Sequence, residues 1–148
     1  MTGVQTCALP IFNALCLESL PRLLDLILKI KELYGREGMN FTLNILRFPS
    51  FQSPLVLPYE LRTVFQYQLQ AWLDKNLQHP ELHEYEINHI RRLIDYLDVV
   101  KTPHSEAFEL DKLRNDFRQF YSQYDQRRNK DFGSVFPELK SWYDSIQI

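Results

Sequence analysis

The sequence predicts a mainly α-helical protein in which one helix and one strand precede three or four packed amphipathic helices. Two observations predict this class. Apolar residues recur at helical spacing in several long stretches, and they alternate with polar residues in one short stretch. The chain has 148 residues, 45% of them apolar and 14% aromatic, which is enough for one domain with a sizeable core.

The first eleven residues, MTGVQTCALPI, differ from everything that follows and show neither helical nor strand periodicity. Residues 2–11 look like the in-frame translation of a common short-read sequencing adapter. The alternative is a natural disordered N-terminus. We therefore expect residues 1–11 to be an adapter-derived artefact that belongs to no domain. In that case the natural reading frame was cut near Phe12, and the original protein continued upstream.

One helix and one strand are predicted next. The helix covers residues 17–34 and ends at Gly35 or Gly38, because glycine readily adopts the left-handed conformation of a helix end. The strand covers residues 40–46, and no second strand is evident downstream. We therefore expect this strand to lack a partner within the chain and predict self-association through Phe41–Leu46. The predicted core face of the helix consists of Leu20, Leu23, Leu24, Ile27, Ile30 and Tyr34, and that of the strand of Phe41, Leu43 and Ile45.

A loop with three prolines leads into the helical region of residues 49–148. Long helices are predicted to begin at Pro58, at Pro80 and at about Phe108, and a short closing helix lies within residues 136–146. The three long helices have apolar faces formed by Leu61, Val64, Phe65, Leu69, Trp72 and Leu73; by Leu82, Ile87, Ile90, Leu93, Ile94 and Leu97; and by Leu110, Leu113, Phe117, Phe120, Tyr121 and Tyr124.

Charge and cysteine content exclude several functions. The net charge of −2 provides no field that would recruit nucleic acid, and no apolar run approaches the roughly 20 residues of a membrane span. Of the two cysteines, Cys7 lies in the adapter-like segment, so Cys16 alone can form neither a disulfide nor a cysteine metal site within the chain. This indicates a reducing, cytoplasmic setting.

No complete catalytic motif is present, and most charged residues have an ordinary structural explanation. Among the histidines, His79 and His83 are four residues apart but are separated by Pro80, which does not suit a metal site. We interpret Glu81, Glu84 and Glu86 as the solvated first turns of a helix, where acidic residues suit the helix dipole.

The loop after the strand is the strongest candidate site. Arg47, Ser50, Gln52 and Ser53 follow the strand directly, and an arginine at a strand's end can hold a carboxylate or phosphate through two hydrogen bonds. A solvent-exposed loop is the alternative. Near the C-terminus, Asp125 and Arg128 are candidates for docking the tail against a missing domain; the alternative is a solvated cationic helix end.

The order of these pieces resembles a known family. The stretch GMNFTLNILRFPSFQSPLVLP, then helices, then YDQRRNKDFGSVFPEL looks like the C-terminal third of twitch-domain radical S-adenosylmethionine proteins. The resemblance covers nearly the whole chain after residue 11, and none of its motifs is catalytic. The matching residues are Pro49, Leu57, Pro58, Asp125, Arg128, Asn129, Phe136, Pro137, Glu138 and Leu139.

The resemblance implies that residues 12–48 are the last helix and strand of a truncated, partial (β/α) barrel, and that residues 49–148 form its rim loop and helical cap. Asn44 and Arg47 would lie at the barrel lumen or rim and contact the cofactor, with Ser50, Gln52 and Ser53 on the substrate side. Thr42 and Asn44 would face the lumen, although the opposite facing is also open.

The family's Cys-x₃-Cys-x₂-Cys loop, which holds a [4Fe–4S] cluster, is missing from this sequence. We therefore expect no cofactor in this fragment and no activity by itself. Its partner would be the missing N-terminal part of the same polypeptide, which would bind the cluster and S-adenosylmethionine. Two alternatives remain: a complete small helical binding module whose single strand pairs with a partner, and a structural helical domain of some other α/β enzyme.

Overall fold

The structure is a computed structural model that describes residues 6–99 and 107–147. Its described part is mainly α-helical, with a small α/β portion at the start, as predicted. The strands are β1 (Thr6–Ala8), β2 (Ile11–Phe12), β3 (Met39–Phe41) and β4 (Asn44–Ile45). The helices are α1 (Leu20–Tyr34), α2 (Tyr59–Asn76), α3 (Glu84–Leu97), α4 (Ala107–Arg128), α5 (Phe132–Val135) and α6 (Lys140–Ser145).

The strands form two short parallel pairs, β1 with β3 and β2 with β4. Both pairs keep the same register, because Thr6 lies opposite Met39 and Ile11 opposite Asn44. Backbone hydrogen bonds from Thr42 N to Ala8 O (3.1 Å) and from Asn44 N to Pro10 O (3.1 Å) bridge the interruption. Residues 6–12 therefore act as one interrupted strand beside residues 39–46, and α1 connects the two.

The prediction that strand 40–46 has no partner within the chain was wrong. Its partners are β1 and β2, which periodicity did not reveal because they are short and Pro10, which has no N–H, lies between them. This pairing does not bear on the origin of residues 1–11, of which residues 1–5 lie outside the described part. The predicted alternation is present from Phe41 to Asn44: Phe41 and Leu43 are buried, Thr42 is half-buried and Asn44 is exposed. Ile45, which we expected in the core, is only half-buried.

Helix α1 ends where Gly35 adopts a φ of 84°, a conformation that glycine tolerates without strain. Its buried face is rotated relative to the prediction. Leu23 and Tyr34, which we expected in the core, are 37% and 75% exposed. The buried residues of α1 are Leu20, Leu24, Ile27, Leu28 and Lys31.

The helical region follows the predicted order. Helix α2 contributes Phe65, Leu69, Trp72 and Leu73 to the core, while Val64 is 51% exposed. The apolar face of α3 is buried as predicted, from Leu82 just before the helix to Leu97. Helix α4 crosses the loop between β4 and α2, and its Phe117 is buried at the centre of an aromatic cluster. That cluster, called the aromatic cluster below, consists of Phe117, Tyr121, Phe132, Trp142 and Tyr143.

Candidate functional site

The loop that follows β4 is built from two consecutive 3₁₀ turns, Ser50–Gln52 and Pro54–Val56. Ser53 lies between them with an extended backbone, and its Oγ accepts a hydrogen bond from Leu55 N at 3.3 Å. The backbone carbonyl of Gln52 accepts from Ala14 N at 3.0 Å, which ties the loop to the segment after β2. The loop is thereby held at the carboxyl ends of the parallel strands, where α/β proteins place their binding sites.

A cavity of about 330 Å³ lies between this loop, the end of α3 and the start of α4. We call it the rim cavity. It has an apolar floor and a polar mouth with one positive and one negative side chain. It is lined by Arg47, Ser50, Ser53, Leu55, Val56, Tyr96, Glu109, Leu110 and Leu113.

Two polar side chains, those of Ser53 and Arg47, are arranged around Tyr96. The Oγ of Ser53, a buried residue, lies 3.1 Å from the Tyr96 hydroxyl, and either oxygen can donate. The guanidinium carbon of Arg47 lies 5.7 Å from the centre of the Tyr96 ring, a cation–π distance. Arg47 is itself exposed, so its N–H groups can reach an anionic group at the mouth.

Two arginines, the buried Arg62 and the half-buried Arg114, support the walls of the rim cavity. Arg114 Nε donates to Val56 O at 2.9 Å, and Arg62 Nη1 donates to Leu97 O at 2.8 Å and to Val99 O at 3.0 Å. Burial lowers the pKa of both guanidinium groups, but arginine still remains charged in proteins. Because their hydrogen bonds are directed at backbone carbonyls, these two residues position the loop and the end of α3.

The structure brings together three of the five residues predicted around the strand's end. Arg47, Ser50 and Ser53 line the rim cavity. Asn44 is exposed on β4 and does not line it, and Gln52 contributes its backbone to the loop rather than its side chain to the cavity. Sequence reasoning missed Tyr96 and Glu109, because they lie on helices that are distant along the chain.

The predicted docking pair near the C-terminus has separate local contacts. Asp125 Oδ2 accepts a hydrogen bond from Phe132 N at 2.7 Å, and the Asp125 carbonyl accepts from Lys130 N at 3.1 Å. Arg128 is exposed, with its guanidinium carbon 6.0 Å from the Tyr124 ring centre. Asp125 therefore shapes the turn from α4 to α5; docking against another domain stays a prediction.

A buried ion pair was missed entirely. Lys31 Nζ lies 3.1 Å from Glu86 Oε1, and both side chains are fully buried. Lys31 also donates to Arg36 O at 2.9 Å and to Asn40 Oδ1 at 3.3 Å. Glu86 accepts from Phe41 N at 3.1 Å and from His83 N at 2.9 Å. The interpretation of Glu86 as a solvated residue was therefore wrong.

The ion pair stabilises the fold, because both of its charged groups bind partners within the protein. It connects α1, β3 and α3. The sequence does contain a signal for Glu86, the capping box. In this motif a glutamate at the third helical position accepts a hydrogen bond from the backbone N–H of the residue that precedes the helix. No comparable signal points to Lys31, which stands in an otherwise apolar face.

Helix α3 also covers the outer side of strand residues 39–46. Glu86 accepts from Phe41 N, and Arg92 Nη2 donates to Leu43 O at 2.7 Å. Arg92 lies 3.0 Å from His89 Nδ1 as well, and burial together with the Arg92 charge lowers the pKa of His89. Two of the backbone groups that a further strand would need on this side, the Phe41 N–H and the Leu43 carbonyl, are therefore already bound by side chains.

The chain does not fit the iron–sulfur cluster that the resemblance implies. Such a cluster needs three thiolates, whereas the sequence has two cysteines. Cys7 is exposed on β1, and Cys16 Sγ donates to Asn13 Oδ1 at 3.0 Å. Across residues 6–99 and 107–147, no group of three or more His, Cys, Asp or Glu side chains could hold a metal ion.

The side chains that line the rim cavity suit the binding of a small molecule. The arginine and the hydroxyl groups suit an anionic or polar group at the mouth, and the apolar floor suits a hydrocarbon part. The Ser53 hydroxyl faces Tyr96 rather than a histidine base, so the described residues do not form a nucleophile–base pair there.

Comparisons of the chain with models of protein families, with curated proteins and with solved structures found no match in any of the three. None of the described helices is long and apolar enough to cross a membrane.

Proposed function

We propose that this chain is the C-terminal barrel edge and helical cap of a radical S-adenosylmethionine enzyme. The observation that carries the proposal is the rim cavity, which lies at the carboxyl end of strand residues 39–45, the strand that follows helix α1. Barrel enzymes place their working surface at this end of the strands. The sequence resemblance over nearly the whole chain after residue 11 supports the same assignment.

In this proposal the rim cavity faces the substrate of the complete enzyme. Arg47 holds an anionic group, and the hydroxyls of Ser50, Ser53 and Tyr96 orient a polar one. The cluster and S-adenosylmethionine are bound by a preceding part of the polypeptide, and this chain is inactive by itself. No reaction step is assigned to its own residues. Both cysteines are free thiols, which supports a cytoplasmic location.

The decisive experiment is to recover and sequence the genomic DNA that precedes the codon of Asn13. We expect the frame to stay open upstream and to encode a Cys-x₃-Cys-x₂-Cys loop some hundreds of bases away. A natural start codon near Asn13, or a stop codon in frame just before it, would overturn the proposal.

A biochemical measurement on the chain itself provides a second test. The purified protein is incubated with iron, sulfide and S-adenosylmethionine under anaerobic conditions, and its visible absorbance is recorded. We expect no cluster absorbance, because three thiolate ligands are not available. A cluster bound stoichiometrically through thiolates of this chain would contradict the proposal that a preceding part of the polypeptide binds it.

A second candidate function is a small helical module that binds a partner through strand pairing. The observation that favours it is the inner edge of strand residues 39–46. Its Thr42 and Asn44 N–H groups bind the carbonyls of Ala8 and Pro10 in the adapter-like segment, and without that segment they would be free to pair with a partner strand. A natural start codon near Asn13 would favour this candidate over the first.

A further inference from the structure

The mouth of the rim cavity carries two opposite charges that do not neutralise each other. Arg47 and Glu109 both line the cavity, and both are exposed. Among residues 6–99 and 107–147, neither side chain forms an ion pair with the other or with a third residue. Each charged group can therefore bind a group of opposite sign on a ligand.

The two charged side chains come from different elements but lie at the same end of the cavity. Arg47 follows β4, and the face of the Tyr96 ring supports its guanidinium group while its N–H groups stay free. Glu109 lies in the first turn of α4. Because Arg47 and Glu109 are exposed whereas Val56 on the floor is buried, both charges lie at the mouth.

The floor of the rim cavity is aliphatic. It consists of half-buried or buried side chains, those of Leu55, Val56, Leu110 and Leu113. The volume of about 330 Å³ lies near the lower limit of the roughly 300–1,000 Å³ that is usual for ligand pockets. The cavity therefore suits a small molecule that has two opposite charges at one end and a short hydrocarbon group at the other.

A ligand with a single charge fits this mouth less well. A carboxylate or phosphate bound by Arg47 would be repelled by the Glu109 carboxylate at the same mouth, and an ammonium group bound by Glu109 would be repelled by Arg47. A neutral ligand would displace water from both charged side chains without replacing their hydrogen bonds, which costs free energy. Only a ligand that carries both charges satisfies both side chains.

We propose that the rim cavity binds a free α-amino acid with an aliphatic side chain. Arg47 binds its carboxylate, Glu109 accepts hydrogen bonds from its ammonium group, and its hydrocarbon part lies on the aliphatic floor. The step from ligand to substrate rests on the proposed function; the binding itself depends only on the described residues of this chain.

The test is a heteronuclear NMR titration of the full 148-residue chain with L-leucine at neutral pH. Two relatives of leucine each lack one charge: isocaproate lacks the ammonium group, and isoamylamine lacks the carboxylate. We expect leucine to bind with a dissociation constant of about 1 mM or less and to shift the amide signals of Ser53, Tyr96 and Glu109. Isocaproate and isoamylamine should each bind about tenfold more weakly.

Two variants assign the charges. Glu109→Gln should weaken the binding of leucine and isoamylamine about tenfold but not that of isocaproate, and Arg47→Gln should weaken leucine and isocaproate but not isoamylamine. The matched controls are Glu84→Gln, an exposed glutamate in the first turn of α3, and Arg91→Gln, an exposed arginine outside the cavity. Both controls should bind leucine like the unaltered chain, and circular dichroism checks that all variants keep their helices.

Several outcomes would overturn the proposal: no binding of leucine at about 20 mM, equally tight binding of isocaproate or isoamylamine, equal weakening by the control variants, or signal shifts confined to residues outside the rim cavity. These outcomes are independent of the proposed function, which the upstream DNA tests without any ligand. If leucine binds as expected but the upstream DNA encodes no cluster loop, the binding site stands and only the radical enzyme is ruled out.

Discussion

The α/β portion and the C-terminal tail of this protein are held to the helical core by opposite means. Strand residues 39–41 are anchored by the buried Lys31–Glu86 pair, in which charges and backbone groups satisfy one another. The tail is anchored by the aromatic cluster, where the Phe132 and Tyr143 rings stack at 3.9 Å and Phe117 is fully buried. The first anchor depends on complete pairing, whereas the second depends on buried area and shape.

The comparison predicts the largest loss of stability for Glu86→Ala. The change leaves Lys31 as an unpaired buried charge and removes the acceptor of Phe41 N and His83 N, so we expect a loss of about 5 kcal/mol. Urea unfolding measures it, with Glu84→Ala in the same helical turn as the exposed control. The double variant Lys31→Met, Glu86→Gln should cost less than Glu86→Ala; a greater cost would contradict the importance of pairing.

In the aromatic cluster, Phe117→Ala should cost about 4 kcal/mol, because it removes a fully buried ring and leaves a cavity. Phe120→Ala is the matched control, since Phe120 lies on the same helix but is 43% exposed. Thermal unfolding followed by near-UV circular dichroism reports on the packing of the rings. Equal losses for the two variants would show that the tail does not depend on the buried cluster.

A smaller loss of stability is expected on the side of strand residues 39–46 that α3 covers. Arg92→Ala removes the donor to Leu43 O and should cost about 1–2 kcal/mol. Its exposed neighbour Arg91, which donates to Asn88 Oδ1 at 3.2 Å, provides the control, and its replacement by alanine should change stability by less than about 0.5 kcal/mol. Hydrogen exchange at the amides of residues 39–46 would detect the loosened strand even where global stability hardly changes.

The smallest expected effect is a pH dependence of the aromatic cluster. Burial, with smaller contributions from Cys16, Tyr124 and Tyr143, raises the pKa of Tyr121 from 10.0 to about 12. Below pH 10 the phenol is protonated in both the folded and the unfolded states. Between pH 10 and about 12 it ionises more readily in the unfolded state, so stability should fall as the pH rises.

Urea midpoints measured across this range test the effect, and Tyr121→Phe should remove part of the fall. Absorbance titration of the folded protein follows the phenol directly. A Tyr121 that titrates at the ordinary value of a free tyrosine would contradict the burial argument.

Sequence periodicity was enough to predict the helices and their order, because each long helix buries one face and exposes the other. It also predicted that Arg47, Ser50 and Ser53 would lie together, since they follow one strand end. It could not predict contacts between distant segments: Tyr96 and Glu109 reach the rim cavity from α3 and α4. The predicted buried face of α1 was wrong because the buried residue near the C-terminal end of this helix is Lys31. Its ion-pair partner, which makes this burial possible, is 55 residues away in the sequence.

The asymmetry of the two strand edges limits how this protein can assemble. Helix α3 binds two backbone groups on the outer side of residues 39–46, whereas residues 6–12 pair with a strand on one side only within residues 6–99 and 107–147. A molecule with one open edge can end a sheet but cannot continue it. Fibrils built by repeated edge addition would therefore first require α3 to detach from residues 39–46.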